Sequence, residues 1–236
     1  MTEPPDRPSP TGPRPEARLV LGRLTLSGPA ALVVAALLLA LAIGLVVWSR
    51  PSPGMLVAGG AWLGFLVFWS LPTAHGGTGR REESAGSRAV HSNLLNLGLL
   101  LLFVSIPGLR WRYLAPSPWQ VPVGLGVMAL ATLLHVYARL HLGRNWSTRV
   151  KIQAGHELVR SGPYRWIRHP IYTAILALAL GTALVSGRVL SLLGVTAFAV
   201  AYLRKLRLEE RMLGEEFGTE WHEYRRRSWA LVPGVF

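Results

Sequence analysis

From Pro29 to Trp48 the chain runs for twenty residues without a charged side chain, and Gly54 to Leu71 repeats the pattern. As a helix, a run of about 20 apolar residues spans the roughly 30 Å hydrocarbon core of a bilayer. Similar stretches follow near 92–108, 119–139, 170–186 and 188–203. Only 16% of the residues are charged, against about 25% in ordinary soluble domains. Several such stretches in 236 residues predict an all-α, polytopic membrane helix bundle of about six transmembrane segments.

Residues 1–27 are rich in proline and arginine and read as an extended, disordered arm. Residues 28–139 form an amino-terminal set of membrane helices, and 140–236 a carboxyl-terminal region of loop, helical hairpin and amphipathic helix. Arg50-Pro51-Ser52-Pro53 is a tight proline turn, and Ser186-Gly187-Arg188 is too short for anything but a helical hairpin. Gly60 and Gly64 have the GxxxG spacing that lets helices approach closely. No basic stretch followed by an apolar one stands at the extreme start, so no cleaved signal is read.

The charges fix a direction. With the amino terminus inside and six spans, 21 of the 25 basic residues and all twelve acids fall on one side. This satisfies the positive-inside rule and places both termini in the cytoplasm, with a bacterial inner membrane as the expected location. The net charge of +13 therefore reads as basic loops facing anionic lipid rather than nucleic acid, for which no recognition motif is present. The absence of cysteine excludes disulfides and thiolate chemistry, and no metal-ligand spacing is found among the histidines.

Two stretches on the inner side carry candidate chemistry. In the loop before the fifth segment, Ser161-Gly162-Pro163-Tyr164 is a turn bearing an aromatic, and Pro170 suits a first helical turn beginning beside His169. Such a helix start attracts anions. In the second stretch, Lys205 and Glu209 lie four apart on one helical face, and the pair Glu209-Glu210 sits where a membrane helix leaves hydrocarbon. Carboxylates near hydrocarbon are costly without partners. The blander alternative is a basic loop at the lipid headgroups with a surface ion pair beside it.

GHELVRSGPYRWIRHPIY at 155–172, a hydrophobic hairpin, then EERMLGEEFGTEWHEYRRR at 209–227 resemble the isoprenylcysteine carboxyl methyltransferase family and related phospholipid methyltransferases. The resemblance covers about residues 140–233. It implies a membrane methyltransferase whose S-adenosylmethionine pocket is built by the carboxyl-terminal half on the cytoplasmic side. A lipophilic or lipidated substrate would enter from the bilayer. By resemblance the cofactor contacts are Lys151, His156, Glu157, Leu158, Val159, Tyr164, His169, Pro170, Ile171, Tyr172 and Glu209. The family places an arginine on the substrate side four residues before that glutamate; here Lys205 stands there, flanked by Arg204 and Arg207. Catalytic roles are expected for Lys205, His169 and Glu210. A carboxylate acceptor needs no general base, whereas an amine must first lose a proton.

Two other readings compete. A membrane reductase using a nicotinamide cofactor could share the hairpin, but Glu209 and Glu210 would repel its pyrophosphate. A transporter or scaffold would be expected to carry polar groups in mid-membrane, which the apolar segments do not suggest.

Overall fold

In the computed structural model, residues 18–21, 24–27, 51–70, 79–106, 111–143, 151–153 and 158–235 are described, with backbone alone for 18–21, 24–27, 79–82 and 151–153. The first apolar stretch, 30–48, lies outside the described residues. The chain divides into two units, Met1–Trp48 and Ser49–Phe236.

In the first unit, strand β1 (Arg18–Leu21) pairs antiparallel with β2 (Leu24–Ser27). The sequence reading assigns a disordered arm here. Leucine, valine and threonine in these two segments suit short strands, and the preceding prolines mask that local preference.

Among its described residues the second unit holds five α-helices: α1 (Pro53–Ser70), α2 (Ala85–Phe103), α3 (Gln120–Leu142), α4 (Pro170–Ser186) and α5 (Val189–Arg226). Three of them, α1, α3 and α5, are long and apolar enough to cross a membrane; α4 is a shorter apolar helix. This is a helical membrane protein, with one further short extended pair in this unit. Strand β3 (Gly79–Glu82) pairs antiparallel with β4 (Lys151–Gln153), so the fold is not purely α among the described residues.

Helix boundaries follow local chemistry. Pro53 opens α1, where its missing N–H costs nothing, and the Ser52 carbonyl accepts from Met55 and Leu56. Helix α2 starts seven residues before its apolar run because Ser84 caps it, accepting from the Ser87 amide at 3.2 Å. Gly187 ends α4 in the left-handed region at φ 65°, donating to the Ala183 carbonyl at 2.7 Å. The resulting α4–α5 turn is braced by Arg112, Tyr113 and Gln120. The Tyr113 hydroxyl donates to the Ala183 carbonyl at 2.8 Å, and the Gln120 amide to the Leu184 carbonyl at 2.7 Å.

The helices cross closely through two glycine pairs. A Cβ on Gly124 of α3 would lie 2.8 Å from the Gly181 carbonyl of α4, and one on Gly181 would lie 2.8 Å from the Gly124 carbonyl. Gly194 of α5 has the same relation to the Gly98 carbonyl of α2, also 2.8 Å. Gly60 and Gly64, the GxxxG pair, face no described atom within 4 Å, so that motif packs nothing here among the described residues. Helix α1 is tied on instead by Trp62, whose indole donates to the buried Thr182 hydroxyl of α4 at 2.9 Å.

The membrane helices are not free of buried polar groups, contrary to the sequence reading. His91 on α2 and His135 and Arg139 on α3 are all buried. His91 contacts the Ala201 carbonyl at 3.2 Å, and the Arg139 guanidinium sits over the Phe68 ring at 4.5 Å. Such groups are tolerated when ring faces and carbonyls compensate for lost water.

Candidate functional site

At the charged end of the bundle, the start of α4 meets the middle of α5. Residues Trp166 to His169 run beside the stretch that follows α5. The Arg168 amide donates to the Trp229 carbonyl at 2.8 Å, the His169 amide to Ala230 at 3.1 Å, and the Trp229 amide back to Trp166 at 3.0 Å. The Thr173 hydroxyl adds a bond to the Leu231 carbonyl at 2.7 Å. The corner at His169 is thereby fixed on both sides, with His169 as the residue preceding α4 and Pro170 as its first residue.

The side chains converge on the two glutamates. The Tyr172 hydroxyl donates to Glu209 Oε2 at 2.5 Å, and His169 Nδ1 lies 3.6 Å from the same oxygen. His169 Nε2 lies 3.4 Å from Glu210 Oε1, without hydrogen-bond alignment. Arg168 Nε donates to Glu210 Oε1 at 2.8 Å, and Arg225 approaches its other oxygen at 3.6 Å. The His169 and Tyr172 rings stack at 5.2 Å, nearly parallel, and Tyr202 packs 4.9 Å from Tyr172. Lys205 is 6% exposed, with Nζ 5.8 Å from the Tyr172 ring centre.

The two glutamates are therefore unequal. Burial pushes the Glu210 carboxyl up, but the His169 ring beside it and the Arg168 guanidinium bonded to it outweigh burial and bring it down to about 2. It is a held anion. The Glu209 side chain is 32% exposed, and its contacts above both fall on Oε2, so it is the more accessible of the two carboxylates.

Tyr164 lies in a short 3₁₀ turn, Gly162–Arg165, and is buried. Burial and the Glu209 charge push its phenol well above the usual range. Its carbonyl accepts from the Tyr224 hydroxyl at 2.6 Å, which anchors the turn to the end of α5. His141, which sequence reasoning set aside, holds the other side: its Nε2 contacts the Ser161 hydroxyl at 2.8 Å, and its ring stacks on Tyr164. Only tertiary contact reveals that pairing, since twenty residues separate the two.

Of the predicted site residues, Tyr164, His169, Tyr172, Lys205, Glu209 and Glu210 come together. Pro170 and Ile171 are buried at the helix start, and Val159 packs against the core, with Leu158 half-buried beside it. Lys151 lies in β4, near neither glutamate in sequence; His156 and Glu157 fall outside the described residues. Arg204 and Arg207 do not share the buried position of Lys205. Arg204 instead turns to α2, donating to the Ser87 carbonyl at 3.1 Å and hydroxyl at 2.7 Å.

A buried lysine, an aromatic stack and a partly exposed carboxylate at the end of a membrane helix bundle define a class: integral membrane proteins with a polar site at one end of the bundle. Residues 124–215, which contain all six converging side chains, match the isoprenylcysteine carboxyl methyltransferase family model. Over this region the chain is similar to that family. It is 31% identical over 138 residues to protein-S-isoprenylcysteine O-methyltransferase B of Arabidopsis thaliana, covering 56% of this chain and 66% of that protein. It is 35% identical over 127 residues to the cobalt-zinc-cadmium resistance protein CzcN of Cupriavidus metallidurans, covering 52% and 54%. It is 28% identical to a probable protein-S-isoprenylcysteine O-methyltransferase of Oryza sativa subsp. indica, covering 66% of this chain and 84% of that one. The chain thus spans between half and two thirds of the first two relatives' lengths.

Proposed function

We propose that the chain is an integral membrane methyltransferase that transfers a methyl group from S-adenosylmethionine to a lipophilic acceptor, a carboxylate of the isoprenylcysteine kind. The observation that carries this reading is the Tyr172–Glu209 hydrogen bond beside the His169 stack, within the region matching the family. The residues suit the cofactor. The partly exposed Glu209 accepts hydrogen bonds from hydroxyls or an ammonium. The start of α4 offers amide N–H groups to a carboxylate. Tyr164 and Tyr172 supply aromatic surface beside a carboxylate, the combination a sulfonium favours.

When bound, S-adenosylmethionine supplies an activated methyl group on sulfur. The chain's part is to hold and align. Glu209, with Tyr164, Tyr172 and the His169-Pro170-Ile171 corner, would hold the cofactor, assisted from the preceding loop by Lys151, His156, Glu157, Leu158 and Val159. Glu210, pinned by Arg168, fixes the His169 ring. Lys205 would hold the acceptor carboxylate as a buried point charge; it lacks arginine's bidentate fork. A carboxylate acceptor needs no base, so alignment and exclusion of water account for the acceleration. For an amine acceptor, His169 would take the proton, because Glu210, held at about 2, is too weak a base. Six spans, with the first at 30–48, would put the charged end and both termini in the cytoplasm, in a bacterial inner membrane, and the acceptor would enter laterally from the lipid.

Calorimetric titration of the detergent-purified protein with S-adenosylhomocysteine tests this, beside Glu209→Ala and a titration with NADPH. Binding that the variant loses supports the proposal. A folded protein that binds NADPH and not S-adenosylhomocysteine overturns it.

A further inference from the structure

Helix α5 presents a second face, away from Lys205 and Glu209. Val200, Leu203, Arg204, Arg207, Leu208 and Arg211 follow one another at helical spacing, and with Ser87 of α2 they line an open cleft of about 510 Å³. The cleft is graded along the helix. Its upper end is apolar, with Val200 49% exposed where the helix lies in hydrocarbon. Its lower end carries three arginines within two turns, where the helix leaves it.

The three arginines are not equivalent. Arg204 is held rigid by the Ser87 carbonyl and hydroxyl and lies 3.8 Å from the buried Glu83. Arg207 and Arg211 are exposed, and no ion pair joins either to an acid among the described residues. The lower end therefore has a net positive charge directly below the apolar part of the cleft. An apolar tail continuous with an anionic head is the ligand chemistry that matches both ends.

We propose that this cleft binds one anionic phospholipid from the surrounding leaflet, its headgroup phosphate on Arg207 and Arg211 with Arg204 as a fixed third donor, and one acyl chain along Val200 and Leu203. The site is separate from the methyl-transfer site proposed above and does not depend on it. A bidentate guanidinium suits phosphate oxygens, which explains arginine rather than lysine at all three positions.

The test uses the full chain in neutral detergent, with binding of phosphatidylglycerol measured by native mass spectrometry and by the shift in thermal unfolding. Phosphatidylcholine and inorganic phosphate are run alongside. The double variant Arg207→Gln/Arg211→Gln should bind phosphatidylglycerol on the order of tenfold more weakly. Arg226→Gln/Arg227→Gln, which removes the same charge elsewhere, should bind as the parent does. Val200→Trp fills the apolar end, keeps every arginine, and should also lose binding. Unfolding of each variant without lipid reports its folding. Equal binding by the groove variants and the parent, equal loss in the Arg226/Arg227 control, or equal binding of phosphatidylcholine would each overturn the proposal. Inorganic phosphate that competes as well as the lipid would overturn it too, by reducing the site to an ion site.

Discussion

The Tyr172 hydroxyl donates a 2.5 Å hydrogen bond to Oε2 of Glu209 while the Tyr172 ring lies flat against His169, whose Nδ1 faces the same oxygen at 3.6 Å. One oxygen of the exposed glutamate is thus oriented by the first turn of α4. Tyr172→Phe keeps the stack and removes only the donor. Bonds to charged groups contribute about 1.5–3 kcal/mol, so affinity for S-adenosylhomocysteine should fall between tenfold and a hundredfold. Calorimetry reads this, and a change under twofold would show that the Glu209 orientation does not matter.

Lys205→Met should separate acceptor from cofactor. The buried lysine lies over the Tyr172 ring, where burial opposes its protonated form and the Glu209 and Glu83 charges favour it. Turnover of a farnesylated cysteine derivative with a free carboxylate should fall about a hundredfold, an amount typical of losing one charge-stabilising group. Affinity for S-adenosylhomocysteine should move less than threefold. Parallel losses in both would point to a structural lysine.

Glu210 makes stability depend on acid. Its carboxyl is held at about 2 in the folded protein, below its ordinary value of 4.5, so the charged form favours folding. That contribution is complete above about pH 4.5 and is lost as the pH falls toward 2. Thermal unfolding in detergent should therefore steepen in its pH dependence across that window, and Glu210→Gln should flatten it. The same variant leaves Arg168, 8% exposed, without its carboxylate, a loss of about 3–5 kcal/mol at neutral pH.

The glycine crossings should be intolerant of side chains. Gly124→Val would drive a methyl group into the Gly181 carbonyl and cost about 1–3 kcal/mol or more. Gly60→Ala and Gly64→Ala, which meet no described atom, should stay within about 0.5 kcal/mol. Unfolding midpoints decide, and an equal penalty at Gly60 would mean that the GxxxG face packs against something in the membrane.

What the sequence revealed was whatever is local. Residues 170–186 are bounded by a proline and a glycine, and the helix occupies that span. The charges after Tyr202 mark the exit from hydrocarbon while the helix itself continues to Arg226. The start of α2 was read seven residues late because hydropathy does not register Ser84, whose cap extends the helix through Arg88 and His91. Gly98 with Gly194 and Gly124 with Gly181 carry no local pattern, since each partner sits on a different helix. Within the site, the four-residue spacing of Lys205 and Glu209 was legible on paper. The role of Arg168 was not, because its partners, Glu210, the Arg225 carbonyl and Ser228, lie 42 to 60 residues away.

The backbone bonds from residues 166–173 to 229–231 also set an order of events. The Thr173 hydroxyl waits 58 residues for the carbonyl it binds, and the rest of α4 and all of α5 are synthesised in that interval. A nascent chain released before Ser228 would hold every described membrane helix and still lack the strap that fixes His169. The residues that complete the corner are thus among the last of the carboxyl-terminal half to be synthesised.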